Sequence, residues 1–338
     1  MSKTEWRNYA KIRDKLLNFG GVIFGGAIRD EILHNVKATE FYKEQHEYYL
    51  SHPSDKPKKT YEYDNKKISL HTLDRLLIPT DIDVMFDIKK VDELIHYLMR
   101  DYKLQVCKIK DMSYFKSEIP KGIYKLFKLD IVSQYKDKFF LVKLDVIGID
   151  TTVDYVQDPF YEIPLKYDFN VNSLFWSKDK GLFSKMLINY KPVNIHIPIQ
   201  IHNIITNIEN KVATMNSEFL WHDISDIKEC DYKESRVIKL KKKGWKIKIE
   251  TMIYKFINSE FMEEDDSCLV CLKNKKDLTS CVNFKRCSCK CFICLDCMKT
   301  EYSKLVKCPT CRHVIIEDNS SLIYAKNELY FYEKFVIQ

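Results

Sequence analysis

Ten of the twelve cysteines in this 338-residue chain lie between Cys268 and Cys311. A segment that short, with few large apolar residues, cannot fold by burial of apolar surface alone. Most of these cysteines occur in closely spaced pairs, the arrangement that binds tetrahedral zinc. The carboxyl-terminal part is therefore predicted to be a zinc-dependent module. Only Cys107 and Cys230 lie outside it, so no disulfide framework is expected, and a reducing compartment, cytoplasmic or nuclear, is favoured.

Length and composition allow two or three folded domains and exclude global disorder. Hydrophobic residues make up 45% of the chain, enough for real cores. The formal net charge of +7 permits a nucleic-acid partner without requiring one. No apolar run approaches the length of a membrane span, and the first residues lack a secretory signal, so no membrane partner is expected. Lys, Tyr, Ile and Asn are abundant, as in proteins of AT-rich genomes such as large DNA viruses, which would place the protein in a host cell.

Four cysteine pairs can supply the ligands of two zinc ions: Cys268 and Cys271, Cys289 and Cys291, Cys294 and Cys297, and Cys308 and Cys311. Cys287 is an alternative to Cys289 in the second pair, and Cys281 is predicted to be a spare. The spacing resembles that of RING fingers, whose Cys-x-His-x2-Cys core is matched by Cys-Lys-Cys-Phe-Ile-Cys (289–294), with cysteine in place of histidine. The resemblance implies a cross-brace, in which the first and third pairs bind one zinc and the second and fourth pairs bind the other.

The resemblance to RING fingers also implies a ubiquitin-conjugating enzyme as partner. Val270 and Pro309 would form its apolar docking surface, and Arg312 would bridge to ubiquitin. A RING has no nucleophile of its own, so its catalysis would consist of holding the charged conjugating enzyme in a reactive geometry. The alternative is a purely structural or dimerising zinc module.

The amino-terminal half contains a second group of motifs. Phe24-Gly25-Gly26-Ala27 joins a predicted strand to a predicted helix, and its glycines would let the backbone approach an anion near the positive charge of Arg29. Asp81 and Asp83 would share one face of a strand. Two adjacent carboxylates repel each other unless a cation bridges them, which suits magnesium held against a triphosphate.

A third carboxylate is expected on a hairpin formed by residues 123–133 and 139–148. Asp145 lies among apolar residues of its second strand, where an unpaired charge would be unfavourable. Asp130 on the first strand is a rival for the same role. The alternative is that these acids face solvent and that Asp81 only caps a turn.

These motifs resemble, in order, those of class II tRNA nucleotidyltransferases and bacterial poly(A) polymerases, over roughly residues 15–250. Gly-Gly-Ala-Ile-Arg-Asp (25–30), Asp-Ile-Asp (81–83) and Asp-Phe-Asn-Val-Asn (168–172) stand where the family has Gly-Gly-x-x-Arg-Asp, Asp-x-Asp and Arg-Arg-Asp-Phe-Thr-x-Asn-Ala. The resemblance implies a nucleotidyltransferase fold that uses magnesium, a nucleoside triphosphate and an RNA acceptor.

Residue by residue, the resemblance makes Asp81 and Asp83 the magnesium ligands and Asp145 the third catalytic carboxylate. It assigns nucleotide binding to the following residues: Gly25, Gly26, Arg29, Asp168 and Asn172. The family's paired arginines are replaced by Lys166-Tyr167, and of the base-selecting neck motif only Arg236 is kept. Templated CCA addition is therefore not expected, and untemplated tailing fits better.

Six lysines surround Gly244-Trp245: Lys239, Lys241, Lys242, Lys243, Lys246 and Lys248. They form either the solvated face of a helix or a phosphate-contact patch for RNA, with Trp245 available for stacking on bases.

The sequence thus predicts an α+β protein. A nucleotidyltransferase-like head with a mixed sheet covers residues 1–180, a mostly helical neck 181–258, an acidic linker 259–267 and a RING-type cross-brace zinc domain 268–316. Aromatic residues in the tail, 317–338, predict that it packs onto a domain. The predicted function is a RING-type ubiquitin ligase fused to a metal-dependent nucleotidyltransferase; the alternative is a non-enzymatic RNA- or protein-binding scaffold.

Overall fold

The structure is a computed structural model, and the residues that it describes are the following: 2–52, 60–63, 66–79, 81–101, 103–111, 125–135, 138–149, 168–188, 191–195, 198–216, 227–249, 251, 253–285, 287–301, 306–317 and 319–336. The chain forms two compact units. The first unit contains Met1–Leu165 and Val171–Lys211, and the second contains Lys166–Asn170 and Val212–Gln338. None of the described helices is long and apolar enough to cross a bilayer.

The helices of the first unit are α1 (Ser2–Asn18), α2 (Gly26–Ser51), α3 (Leu70–Leu77), α4 (Ile88–Asp101) and α5 (Pro198–Glu209). Its strands are β1 (Val22–Phe24), β2 (Tyr61–Tyr63), β3 (Lys66–Ile68), β4 (Asp81–Asp87), β5 (Lys103–Asp111), β6 (Lys125–Tyr135), β7 (Lys138–Ile149), β8 (Leu174–Ser177), β9 (Gly181–Ile188) and β10 (Lys191–Ile195).

An eight-stranded mixed sheet organises the first unit, in the order β10-β9-β8-β1-β4-β7-β6-β5. Only β4 and β7 run parallel to each other within it; the β6–β7 hairpin and the β8–β9–β10 meander are antiparallel. Strand β4 alternates in burial, with Ile82 and Val84 buried and Asp81 exposed. One face of the central strands is therefore apolar, and the opposite face carries the charged side chains.

Two glycines set the connection from α1 to β1. Tyr9, Ile12 and Leu16 form the buried stripe that the sequence predicts for α1. Gly20 follows the helix with φ +86°, a conformation that favours glycine, and a Cβ on Gly21 would lie 2.6 Å from the Phe86 ring. The turn therefore needs a small residue, because β1 must pass directly under α1 to reach the sheet.

Two predicted boundaries in the first unit are wrong. Residues 181–195 were assigned to a helical neck, but they form β9 and β10 of the central sheet. Residues 51–68 were assigned to a loop, but β2 and β3 pair within them as a small hairpin, while 53–59 lie outside the described residues. Short strands of this kind depend on partners distant in sequence, so local polarity does not reveal them.

The second unit contains α6 (Ile227–Lys242), α7 (Leu295–Glu301), α8 (Asn319–Phe335), β11 (Val212–Met215), β12 (Lys246–Ile249), β13 (Tyr254–Asn258), β14 (Ser280–Phe284) and β15 (Ile293–Cys294). Strands β11 and β12 form a parallel pair, and β13, β14 and β15 form a three-stranded sheet. A mostly helical neck was predicted over 181–258, and the strands of this region correct that prediction.

The lysine-rich segment lies at the end of α6 and on β12. Trp245 is only 4% exposed and belongs to the core with Val237 and Leu240, so the stacking role suggested by the sequence is wrong. The exposed members of the patch are Lys239, Lys242, Lys243, Lys246 and Lys248. They leave a positively charged surface, but it has no accessible aromatic ring from Trp245.

Residues 259–267 do not form a free linker. Strand β13, just before them, pairs in register with β14 inside the cysteine-rich segment, from Tyr254 opposite Phe284 to Asn258 opposite Ser280. Strand β14 in turn pairs with β15, which ends at Cys294. The zinc module is therefore built partly from residues that precede its first cysteine.

Helix α8 is anchored by carboxylates, which confirms that the tail packs onto a domain. The side chain of Glu328 is fully buried and accepts hydrogen bonds from the backbone N–H groups of Ile253 and Tyr254, at 3.1 and 3.0 Å. Glu234 on α6 accepts bonds from Tyr330 and Lys334 of α8. The helix thus holds the start of β13 and the side of α6 together.

Replacement of Glu328 by alanine should destabilise the second unit strongly. Two buried backbone N–H groups would lose their acceptor, so we expect the free energy of unfolding to fall by about 3 kcal/mol. Urea denaturation of the zinc-loaded chain measures this. The matched control is Glu333→Ala on the same helix, where the lost ion pair with Lys299 is half-exposed and should contribute less than about 1 kcal/mol. Equal stability of the two variants would contradict the assigned role of Glu328.

Candidate metal centres and the acidic face of the first unit

The first metal centre is formed by two cysteine pairs that are distant in sequence. The Sγ atoms of Cys268, Cys271, Cys294 and Cys297 all lie within 4.8 Å of one another. Cys271 and Cys294 are 3.7 Å apart. Four sulfurs placed tetrahedrally at the usual zinc–sulfur distance would be about 3.8 Å apart, so the group has the dimensions of a zinc site.

The second metal centre is formed by the remaining two pairs. The Sγ atoms of Cys287, Cys289, Cys308 and Cys311 also lie within 4.8 Å of one another. Along the chain the pairs alternate between the two centres, so the loop that closes one centre passes through the other. The predicted interleaving of the pairs therefore holds, and the two groups of four suggest two zinc ions.

One predicted ligand is corrected. Cys287, rather than Cys291, completes the second group. The backbone N–H of Cys289 donates to the Cys287 sulfur at 3.3 Å, and the chain bends at Cys289 so that Cys291 points into the interior. Cys291 remains next to the centre, hydrogen-bonded to Cys308. Cys281, predicted to be a spare, is buried on β14 and belongs to neither group.

The two Cys-x2-Cys segments adopt the same tight turn. In the first, the N–H of Leu272 donates to the carbonyl of Cys268 at 2.9 Å, and the N–H of Cys268 donates to Lys273 at 3.0 Å. In the second, Arg312 donates to Cys308 and Cys308 to His313, at 2.9 and 2.8 Å. The turn directs backbone N–H groups at the first sulfur of each pair.

These N–H groups favour the thiolate. Burial alone would raise the pKa of Cys268, but backbone N–H bonds from Cys271 and Cys294 lower it to about 7. In the second turn, backbone N–H groups of Cys311 and Thr310 likewise overcome the effect of burial and lower the pKa of Cys308 to about 6. The first cysteine of each turn is therefore prepared to bind a metal cation.

Each turn also requires one residue in the left-handed region. Leu272 has φ +59° and Arg312 has φ +64°. Glycine would adopt this conformation without strain, whereas a side chain there is unfavourable by about 1 kcal/mol. The chain keeps a leucine and an arginine at these positions, and both side chains are exposed.

The predicted partner-binding residues are all on the surface. Val270, Pro309 and Arg312 are exposed. The sequence analysis missed Leu272, which is 74% exposed, and Val314, which is also exposed. An apolar residue directly after each zinc turn is a signal that could have identified them. Together with Val270 they give the module an apolar surface beside the turns.

In the first unit, the predicted catalytic acids lie on adjacent strands. In the parallel β4–β7 pair, Asp83 is in register with Asp145, and Asp81 is in register with Lys143. Residues in register on neighbouring strands point to the same face, so the three carboxylates share one surface. They do not close around a point as the cysteines do. Among the described residues, only the two cysteine groups bring three or more potential ligands within 4.8 Å.

The rival Asp130 lies one strand further away. It is on β6, in register with Lys143 of β7, so β7 separates it from Asp83. Asp145 is the carboxylate directly beside Asp83, which favours it as the third acid. Its Oδ2 accepts a hydrogen bond from Lys128 of β6 at 2.7 Å.

The glycine turn approaches Asp83 closely. A Cβ on Gly25 would lie 3.5 Å from Asp83 Oδ2, and Gly25 has φ +75°. Its own N–H donates to the carbonyl of Leu174, so this amide is not available to an anion. The first turn of α2, from Gly26 onward, provides the N–H groups that a helix leaves unused. The turn therefore leaves a small space between the start of α2 and the acidic face.

Arg29 is structural rather than phosphate-facing. Its guanidinium is only 6% exposed and bonds to Asp30 at 2.7 Å and to Asn172 Oδ1 at 2.8 Å. The proposed contact of Arg29 with nucleotide is thus corrected: it holds the segment around Asn172 in place. In the second unit, Asp168 forms an ion pair with Arg236 at 2.5 Å, which gives the retained neck arginine a partner.

The chain matches no protein-family model, no curated protein and no solved structure. Its possible functions are therefore argued from the two cysteine centres and from the acidic face.

Zinc content should distinguish the two assignments of the second centre. We expect two zinc ions per purified chain by elemental analysis. Cys287→Ala should leave one, because three thiolates do not retain structural zinc well. Cys291→Ala is the matched control and should retain two. Loss of zinc from Cys291→Ala with retention in Cys287→Ala would restore the assignment drawn from spacing.

Proposed function

We propose that the second unit acts as a RING-type module that recruits a ubiquitin-conjugating enzyme, and that the chain is a ubiquitin ligase. The observation that carries this proposal is the alternation of two four-cysteine centres along the chain. Such alternation distinguishes the cross-brace from zinc folds in which each centre is closed by consecutive pairs. The strands β14 and β15 followed by α7 are compatible with the same architecture.

The surface of the module supports a partner of this kind. Val270 and Leu272 project from the first turn, and Pro309 and Val314 are exposed at the second. Exposed apolar groups next to rigid, metal-fixed turns suit docking of a folded protein, because little side-chain or loop entropy is lost on binding. Arg312 adds a permanent positive charge at the second turn.

Catalysis by such a module would be positional. It would hold the thioester-linked ubiquitin so that the acceptor amine meets it in a productive orientation. The left-handed backbone of Arg312 is informative here, because strained residues often persist where the side chain is needed. Glycine would suit the turn better, so an arginine at this position points to a role for its guanidinium.

Replacement of Arg312 tests the proposal. Arg312→Ala and Arg312→Gly should each lower ubiquitin-chain formation at least tenfold, since both remove the guanidinium. Both should retain two zinc ions, and the glycine variant should be at least as stable as wild type because the left-handed strain is relieved. Chain formation is measured by gel assay with a panel of conjugating enzymes.

The matched control is Lys273→Ala, an exposed basic side chain after the first turn, which should leave chain formation unchanged. Wild-type protein inactive with the whole panel would instead support a structural zinc module.

A second function, nucleotide transfer, is proposed for the first unit. The observation that favours it is the register of Asp83 with Asp145, beside the close approach of Gly25. Carboxylate oxygens are the ligands that magnesium prefers, and the space left by glycine fits a metal-bound triphosphate. Asp81 and Asp83 would bind the metal, which would lower the pKa of an attacking hydroxyl and neutralise phosphate charge. Asp145 would help to orient that hydroxyl.

Isosteric substitution tests this second function. Asp81→Asn combined with Asp83→Asn should abolish magnesium-dependent incorporation of labelled ribonucleotide, since amide groups bind magnesium much less strongly than carboxylates. The assay uses each of the four ribonucleotides, with and without an RNA primer. Asp92→Asn, an exposed acid on α4, is the control and should behave as wild type. A wild-type protein that incorporates no nucleotide would leave the first unit as a binding scaffold.

A further inference from the structure

The face that carries Asp81, Asp83 and Asp145 also carries two lysines. Across β6, β7 and β4, one row of residues in register is Lys128, Asp145 and Asp83. The next row is Asp130, Lys143 and Asp81. All six side chains are exposed or half-buried, whereas the residues between them on each strand are buried. Charges of both signs therefore alternate on one surface of the sheet.

The formal charges of this face leave room for one divalent cation. Four carboxylates less two ammonium groups give a net charge of −2. Three carboxylates without a nearby cation would repel one another strongly, and magnesium sites of two ions relieve such repulsion with the metals alone. Here part of that neutralisation is supplied by the protein.

The contact of Lys128 with Asp145 is direct. The Nζ atom lies 2.7 Å from Asp145 Oδ2, while the side chains are 51% and 35% exposed. An ion pair this exposed contributes little to the stability of the fold. Its effect on the site is larger, because it occupies an oxygen of the carboxylate that stands next to Asp83. A cation bound to Asp81 and Asp83 would find Asp145 already neutralised.

We infer that Lys128 takes the place of a second metal ion, so that this face binds a single divalent cation through Asp81 and Asp83. Lys128 is then a positioning residue, which holds Asp145 without contacting the metal. This inference rests on the proposed nucleotidyl-transfer site, but it concerns cation binding and does not require that any nucleotide be transferred.

The test is a count of bound Mn²⁺, a paramagnetic substitute for magnesium, by electron paramagnetic resonance and calorimetry. The protein is the full zinc-loaded chain, and its zinc content is measured again after the titration. Wild type should bind one Mn²⁺ ion. Lys128→Met should bind two, because the freed Asp145 and Asp83 can then share a second cation. Lys128→Arg keeps the charge and should bind one.

Lys178→Met, which removes an exposed lysine from the turn between β8 and β9, controls for the change in net charge and should bind one ion. Two ions in wild type, none in wild type, one ion in Lys128→Met, or a second ion in Lys178→Met would each overturn the inference. Failure of nucleotide incorporation with the expected ion counts would reject the proposed transfer activity and leave the role of Lys128 intact.

Discussion

The two interleaved thiolate centres are the interaction on which the second unit depends. Eight cysteines converge in a segment whose regular structure is only a short β14–β15 pair and one two-turn helix. Without a cation, thiolates of this kind repel one another, so metal binding and folding of the module must occur together. The order then extends through β13, because β14 pairs with it and Glu328 fixes its first N–H groups. Metal, strand and tail helix therefore form one cooperative structure.

Sequence patterns predicted the features that depend on local chemistry. Helix α1, strand β1 and the β6–β7 hairpin follow from hydrophobic period and from glycine positions. The cysteine pairs announced zinc because few other structures need thiols at such spacing. The choice between Cys287 and Cys291 was beyond the sequence. Spacing favoured Cys291, but the bend at Cys289 turns that side chain inward, and a bend is set by tertiary packing.

Other errors share one cause, namely that burial is a property of distant partners. Trp245 between lysines has the pattern of an exposed nucleic-acid contact, yet it packs against Val237 and Leu240. Arg29 follows a phosphate-type turn, yet Asn172, far along the chain, takes its guanidinium. The acids behaved differently. Asp83 and Asp145 were placed together correctly because both lie in strongly apolar strands, and such strands join the centre of a sheet.

The chemistry of the ligands separates the metals of the two units. Thiolates are soft ligands that select zinc, and the tight turns around Cys268 and Cys308 lower the pKa values of those thiols in advance of metal binding. The acidic face offers only oxygen ligands, which suit magnesium and bind zinc more weakly than four sulfurs do. With Lys128 beside Asp145, the charge left on that face is small, which further disfavours casual binding of other cations. One chain can therefore carry a permanent structural metal and an exchangeable catalytic metal without either displacing the other.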